Sequence, residues 1–171
     1  MFKLSRLLPF LAVSCLDYQD INTAGINSPP LIDKAHVTPS PTDLLQHINI
    51  GRYCHAKEFM IPPIYDSNLN DDLYFLWFIK DPSNNREYAL QPIDSIKSES
   101  RNKTITTLLI ERRMLENAFG GTLPSNFFNN TYFIGFFVSD RPYLIPENRY
   151  LGLQAFEDSF YWVTTFVDNK C

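Results

Sequence analysis

The stretch "DLYFLWFIK" at Asp72–Lys80 constrains this chain more than any other. Seven apolar residues rich in aromatics run without a break, and the turn sequence Asp81-Pro82-Ser83-Asn84-Asn85 closes them. β-branched and aromatic side chains fit a pleated surface, and Pro, Asn and Asp supply turn chemistry. The segment therefore reads as a β-strand. Successive strand side chains point to opposite faces, so Leu73, Phe75 and Trp77 share one face and Tyr74, Leu76 and Phe78 the other. Both faces are apolar.

Other segments repeat the pattern of short apolar runs between turns. Leu31–Val37 is expected as a strand closed by Thr38-Pro39-Ser40-Pro41, and Leu44–Arg52 and Cys54–Ile61 as a pair interrupted near Gly51. Tyr88–Ile96, Thr104–Ile110, Tyr132–Ser139 and Phe160–Val167 complete the set. Arg112–Phe119 has helical propensity and is stopped by Gly120-Gly121. With 14 Phe, 9 Tyr and 12 Pro but only 6 Gly, the composition suits strands with stiff connections. About seven strands and a short helical insert predict an all-β sandwich over residues 29–171.

The N-terminus carries a different signal. Lys3 and Arg6 precede the short apolar run Leu7–Val13, and small Ser14 and Cys15 follow it. The run is far below the roughly 20 residues of a spanning helix, so it reads as a signal peptide. Leu11-Ala12-Val13-Ser14-Cys15 resembles a bacterial lipobox, in which the acylated cysteine becomes the new N-terminus. General signal cleavage at the same point is the alternative. With residues 1–14 removed, the chain has 13 basic and 19 acidic residues, a net charge of −6. Residues 15–28 are polar and aperiodic, and are expected to form a disordered tether reaching about 20 Å as a flexible coil.

Three cysteines are present, Cys15, Cys54 and Cys171. If Cys15 carries lipid, an even pair remains in an oxidising compartment. A Cys54–Cys171 disulfide would close a long loop, worth roughly 4–5 kcal/mol in the chain-entropy model.

Three segments carry a family resemblance. "DDLYFLWFIKD" (71–81) is similar to the third strand of polycystic-kidney-disease-type and related immunoglobulin-like modules, with Leu73, Phe75 and Trp77 inward. "YFIGFFVSD" (132–140) resembles their penultimate strand, ending in Val138-x-Asp140, and "PPLIDKAHVTPS" (29–40) their opening strand. With the lipobox, the chain resembles deltaproteobacterial-type exported lipoproteins bearing one immunoglobulin-like domain. That resemblance implies an envelope lipoprotein (palmitate on Cys15) acting as a binding or structural module without catalysis. Leu16 after Cys15 favours the outer membrane of a Gram-negative bacterium by the same resemblance.

In such sandwiches the third, penultimate and last strands are neighbours in one sheet. With Ile134, Phe136 and Val138 inward, Phe133 and Phe137 join Tyr74, Leu76 and Phe78 on its outer face. Either this face docks another envelope protein or a second copy, or the chain covers it. The candidate covers are Arg112–Phe119 and the Ser139–Ser159 connection, with Tyr143, Leu144, Ile145, Tyr150, Leu151 and Leu153.

Reaction chemistry is thinly represented. His36, His47 and His55 fall in the first third without zinc spacing, although His47 and His55 could join Glu58 or Asp66. There is no Gly-x-Ser-x-Gly elbow, no phosphate-cradling glycine loop and no basic cluster for nucleic acid, so neither a cofactor nor a nucleic-acid partner is expected. "DSNLNDD" (66–72) offers oxygen ligands from Asp66, Asp71 and Asp72 for Ca²⁺, but turn formation is the competing reading. The sequons at Asn102 and Asn129 matter only in a eukaryotic secretory pathway. The rival functions are an unanchored secreted or periplasmic module for glycan or protein, and a hydrolase.

Overall fold

In the computed structural model, residues 29–43, 45–51, 56–100, 103–140 and 157–169 are described. The chain is mostly β, with two open sheets and one short helix. Its strands are β1 (Gln46–Asn49), β2 (Lys57–Ile61), β3 (Leu73–Asp81), β4 (Arg86–Ala89), β5 (Asp94–Ile96), β6 (Thr106–Ile110), β7 (Thr131–Ser139) and β8 (Glu157–Val167), with helix α1 (Arg112–Ala118) between β6 and β7. A 3₁₀ turn at Phe127–Asn129 leads into β7.

The larger sheet has the order β1-β8-β7-β3-β4, and β5 pairs with the start of β3 on the edge it shares with β4. β1 joins β8 in parallel, whereas the other pairs in this sheet are antiparallel. β2 and β6 form the second sheet. Both sheets contribute to one core. Phe59 of β2 meets the Trp162 ring of β8 edge-on at 5.0 Å, Trp162 stacks on Trp77 at 5.9 Å, and Phe136 stands edge-on to Trp77 at 4.8 Å. Such aromatic pairs add about 0.5–1.5 kcal/mol each beyond the area they bury. The Trp162 Nε1–H donates to the Pro39 carbonyl at 2.8 Å, which satisfies a buried donor and ties the N-terminal segment to the sheet.

Leu73, Phe75 and Trp77, together with Ile134, Phe136 and Val138, point into this core as their alternation predicts. The turn after β3 also forms as expected. Asp81 accepts from Ser83 N–H and Oγ and from Asn84 Nδ2, while Asn85 takes the left-handed conformation at φ 57°. Helix α1 ends in a Schellman arrangement: Gly120 has φ 85°, and Gly121 N–H reaches back to the Glu116 carbonyl at 2.7 Å.

Three expected elements differ. Leu31–Val37 is not a strand; the segment from Leu31 to Thr38 meets β2 and its extension through the isolated bridges Leu31–Tyr65 and Thr38–Met60. Asp33 accepts from Ala35 N–H and His36 N–H, curling the intervening chain into a turn. β1 and β2 do not pair with each other but lie in different sheets. Tyr88–Ile96 divides into β4 and β5 around Pro92, which has no N–H for a ladder.

Strand direction gives the sandwich two distinct ends. Ile32 N–H donates to Asp158 at the start of β8, and the segment from Leu31 to Pro39 runs antiparallel to β2. The first end therefore gathers Pro29–Ile32, the 65–72 loop, the start of β6 and the close of β7. The 97–98 turn joins it, because Asp72 binds Lys97 Nζ at 2.6 Å and Ser98 N–H at 3.0 Å. The opposite end holds the 82–85 turn, α1, and the Arg112–Asp168 ion pair at 2.9 Å.

Candidate functional site

Cross-strand register defines the outer face of the large sheet. Phe78 of β3 lies opposite Gly135 of β7, which lies opposite Tyr161 of β8. The adjoining row is Leu76, Phe137 and Ser159, and on the other side lie Lys80, Phe133 and Val163. A Cβ on Gly135 would fall 2.2 Å from Cζ of Phe78, so the aromatic ring lies directly on the glycine backbone. Tyr161 meets that ring edge-on at 5.5 Å. Glycine is required here because the cross-strand ring occupies the volume of its missing side chain.

Three of the five outer-face candidates are closed to solvent. Leu76, Phe78 and Phe137 are 5%, 0% and 4% exposed and form a second small core with half-buried Ile93. Tyr74 and Phe133 are half-buried, and Tyr161 is 42% exposed. The accessible part of this face is thus narrower than its alternation implies. Helix α1 is not its cover. Leu115 is buried in the main core, and Met114, Ala118 and Phe119 pack against that core on the other side of the sheet. Residues 141–156 of the other candidate cover lie outside the described residues.

The 66–72 loop is organised by local hydrogen bonds. Asp66 accepts from Asn68 N–H at 2.9 Å, and Asn68 Nδ2 donates to Asp71 at 2.5 Å. Asp72 faces the cation of Lys97 at 2.6 Å. That hydrogen bond, reinforced by the Asp72 charge, raises the Lys97 pKa. Asp66 and Asp71 thus brace the turn, whereas Asp72 is engaged with the 97–98 segment. Among the described residues no group of three or more His, Cys, Asp or Glu side chains could hold a metal ion.

The remaining candidates are scattered. His36 bonds Asp33 at 2.7 Å, and His47 lies on the outer face against Thr165 Oγ1 at 2.7 Å. Cys15, Cys54, Cys171 and His55 lie outside the described residues. Among the described residues no helix is long and apolar enough to cross a membrane.

Two other groups define the far end. Arg112 binds Glu116 and Asp168, each at 2.9 Å, and its pKa is raised first by the Glu116 bond and then by the Asp168 bond. Tyr132, buried at the start of β7, has its pKa raised by burial, with Asn130 pulling the other way. Its hydroxyl has no hydrogen-bond partner within bonding geometry among the described residues.

Sequence reasoning missed Gly135, Tyr161 and Ile93 as parts of the outer face. A glycine inside an otherwise aromatic strand, "YFIGFFVSD", was the available signal for close approach. The chain matches no protein-family model, no curated protein and no solved structure.

Proposed function

We propose that this chain is an immunoglobulin-like sandwich anchored through an acylated Cys15 in a bacterial envelope, where it serves as a binding or structural module. The observation that carries the reading is the junction between the N-terminal segment and the sandwich. Leu31 bridges to Tyr65, Ile32 N–H bonds Asp158, and Lys34 pairs with the same carboxylate at 2.8 Å. A chain arriving from Cys15 is thereby stitched into a rigid body, as display at a membrane requires. The immunoglobulin-like assignment is supported by the β8-β7-β3-β4 order, by β1 running parallel to the last strand, and by Trp77 at the centre of β3. The N-terminal sequence favours the outer membrane as the site of display.

The parallel seam supports the Cys54–Cys171 disulfide. Asn49 lies opposite Val167, and its Oδ1 accepts from the N–H groups of both Gly51 and Asn169. The two segments leave this seam in the same direction. Cys54 follows three residues after Gly51 and Cys171 two after Asn169. Alkylation of the denatured, unreduced protein is expected to find neither thiol free.

Fatty-acid labelling tests the anchor. Wild type is expected to incorporate label and Cys15→Ala to lose it; label retained by the variant removes the lipoprotein reading. The rival reading, an unanchored glycan-binding module, draws on Tyr161, whose ring is exposed on the sheet face and suited to stacking on a sugar. Glycan-array binding by wild type, lost in Tyr161→Ala, would support it.

A further inference from the structure

We infer that the end of the sandwich carrying Leu31, Tyr65, Leu69 and Ile105 lies against the surface of the membrane that anchors the chain. This inference rests on the lipid-anchor reading and adds an orientation and a contact surface to it. These four are the most exposed large hydrophobic side chains among the described residues, at 58%, 62%, 65% and 53%. They come from three separate stretches of sequence, yet strand direction brings all of them to the first end. Leu31 and Tyr65 are joined there by backbone hydrogen bonds of 2.6 and 3.0 Å. Leu69 belongs to the loop before β3, and Ile105 immediately precedes β6.

The chain enters the sandwich at this same end. Thirteen residues, 16–28, separate the lipid attachment at Cys15 from Pro29. A flexible coil of that length spans about 20 Å on average. The nine-residue strand β3 alone is about 30 Å long, so the average tether is too short to present the α1 end to the bilayer. Tethering therefore holds the apolar end near lipid at high local concentration. Leucine, isoleucine and tyrosine suit the boundary between headgroups and acyl chains.

Charge selects the kind of lipid. Among the described residues, Asp33, Asp66, Asp71, Asp72, Glu99 and Asp158 outnumber Lys34, Lys97 and Lys103 around this end, and two of those lysines already pair with Asp158 and Asp72. An acidic rim is repelled by anionic headgroups, so the contact is with a zwitterionic surface.

The test uses the full lipidated protein in phosphatidylcholine vesicles carrying spin-labelled lipid as quencher. An environment-sensitive fluorophore is placed in turn at Leu69→Cys, at Ile105→Cys and, on exposed α1 at the far end, at Arg113→Cys. Probes at 69 and 105 are expected to shift to the blue and to be quenched several-fold more than the probe at 113. Adding phosphatidylglycerol is expected to reduce that difference. Vesicle-bound protein with equal quenching at all three positions overturns the orientation and leaves the anchor standing. Protection at 69 and 105 that grows with protein density, without quenching by lipid, also overturns it and identifies a second copy as the occupant. Protein that carries no lipid and does not partition to vesicles overturns the anchor, and this inference with it.

Discussion

Gly135→Ala should destabilise the protein through one ring. The added Cβ would lie 2.2, 2.6 and 2.8 Å from three atoms of Phe78, all inside any real carbon–carbon contact. Phe78 is fully buried between this glycine, Tyr161 and the Leu76–Phe137 cluster, so its ring must displace packed neighbours to make room. Overpacking of this kind costs about 1–3 kcal/mol. Reduced freedom of the unfolded chain on losing a glycine offsets about 0.4–1 kcal/mol of it. The net expectation is a loss of about 1–2 kcal/mol, or about 2–8 °C in melting temperature for a domain of this size. Urea denaturation followed by fluorescence of the core tryptophans measures it. The double-mutant cycle isolates the cause, because in a Phe78→Ala background the ring is gone and Gly135→Ala should be neutral or slightly stabilising. An equal cost in both backgrounds would refute the argument that the ring dictates the glycine.

Phe137→Ser should cost about 3–5 kcal/mol in the monomer, as loss of a buried aromatic does, and a loss near zero would return this position to the docking surface. Trp162→Phe should cost about 1–3 kcal/mol by equilibrium denaturation, because it leaves the Pro39 carbonyl without its donor as well as removing ring area. Arg112→Ala should lose no more than about 1 kcal/mol, since its two ion pairs lie at a partly exposed site. Tyr132 has its pKa raised in the folded protein, so deprotonation favours the unfolded chain. Its contribution is intact below about pH 10 and is lost as pH rises through the folded value. Tyr132→Phe should flatten the alkaline limb of the stability profile, and should be neutral or stabilising at neutral pH because the buried hydroxyl has no hydrogen-bond partner among the described residues. An unchanged alkaline limb would assign that pH dependence to other groups.

Sequence by itself determined the locally encoded parts of this protein. β3 and β7, the Asp81–Asn85 turn and the Gly120-Gly121 stop follow from residue types within a few positions, and the inward alternation of Leu73, Phe75 and Trp77 follows from the geometry of a single strand. The candidate outer face was half legible in the same way. Period two separates Leu76, Phe78 and Phe137 from the main core, but it carries no information about whether anything covers them. Tertiary structure decided that these three are buried, that β1 runs parallel beside β8 rather than pairing with β2, and that Asp72 bonds Lys97 across 25 positions of sequence. It also brought Leu31, Tyr65, Leu69 and Ile105 to one end. Each of these outcomes depends on which distant segments come to lie side by side, and pairing energies between segments are not written into either segment alone.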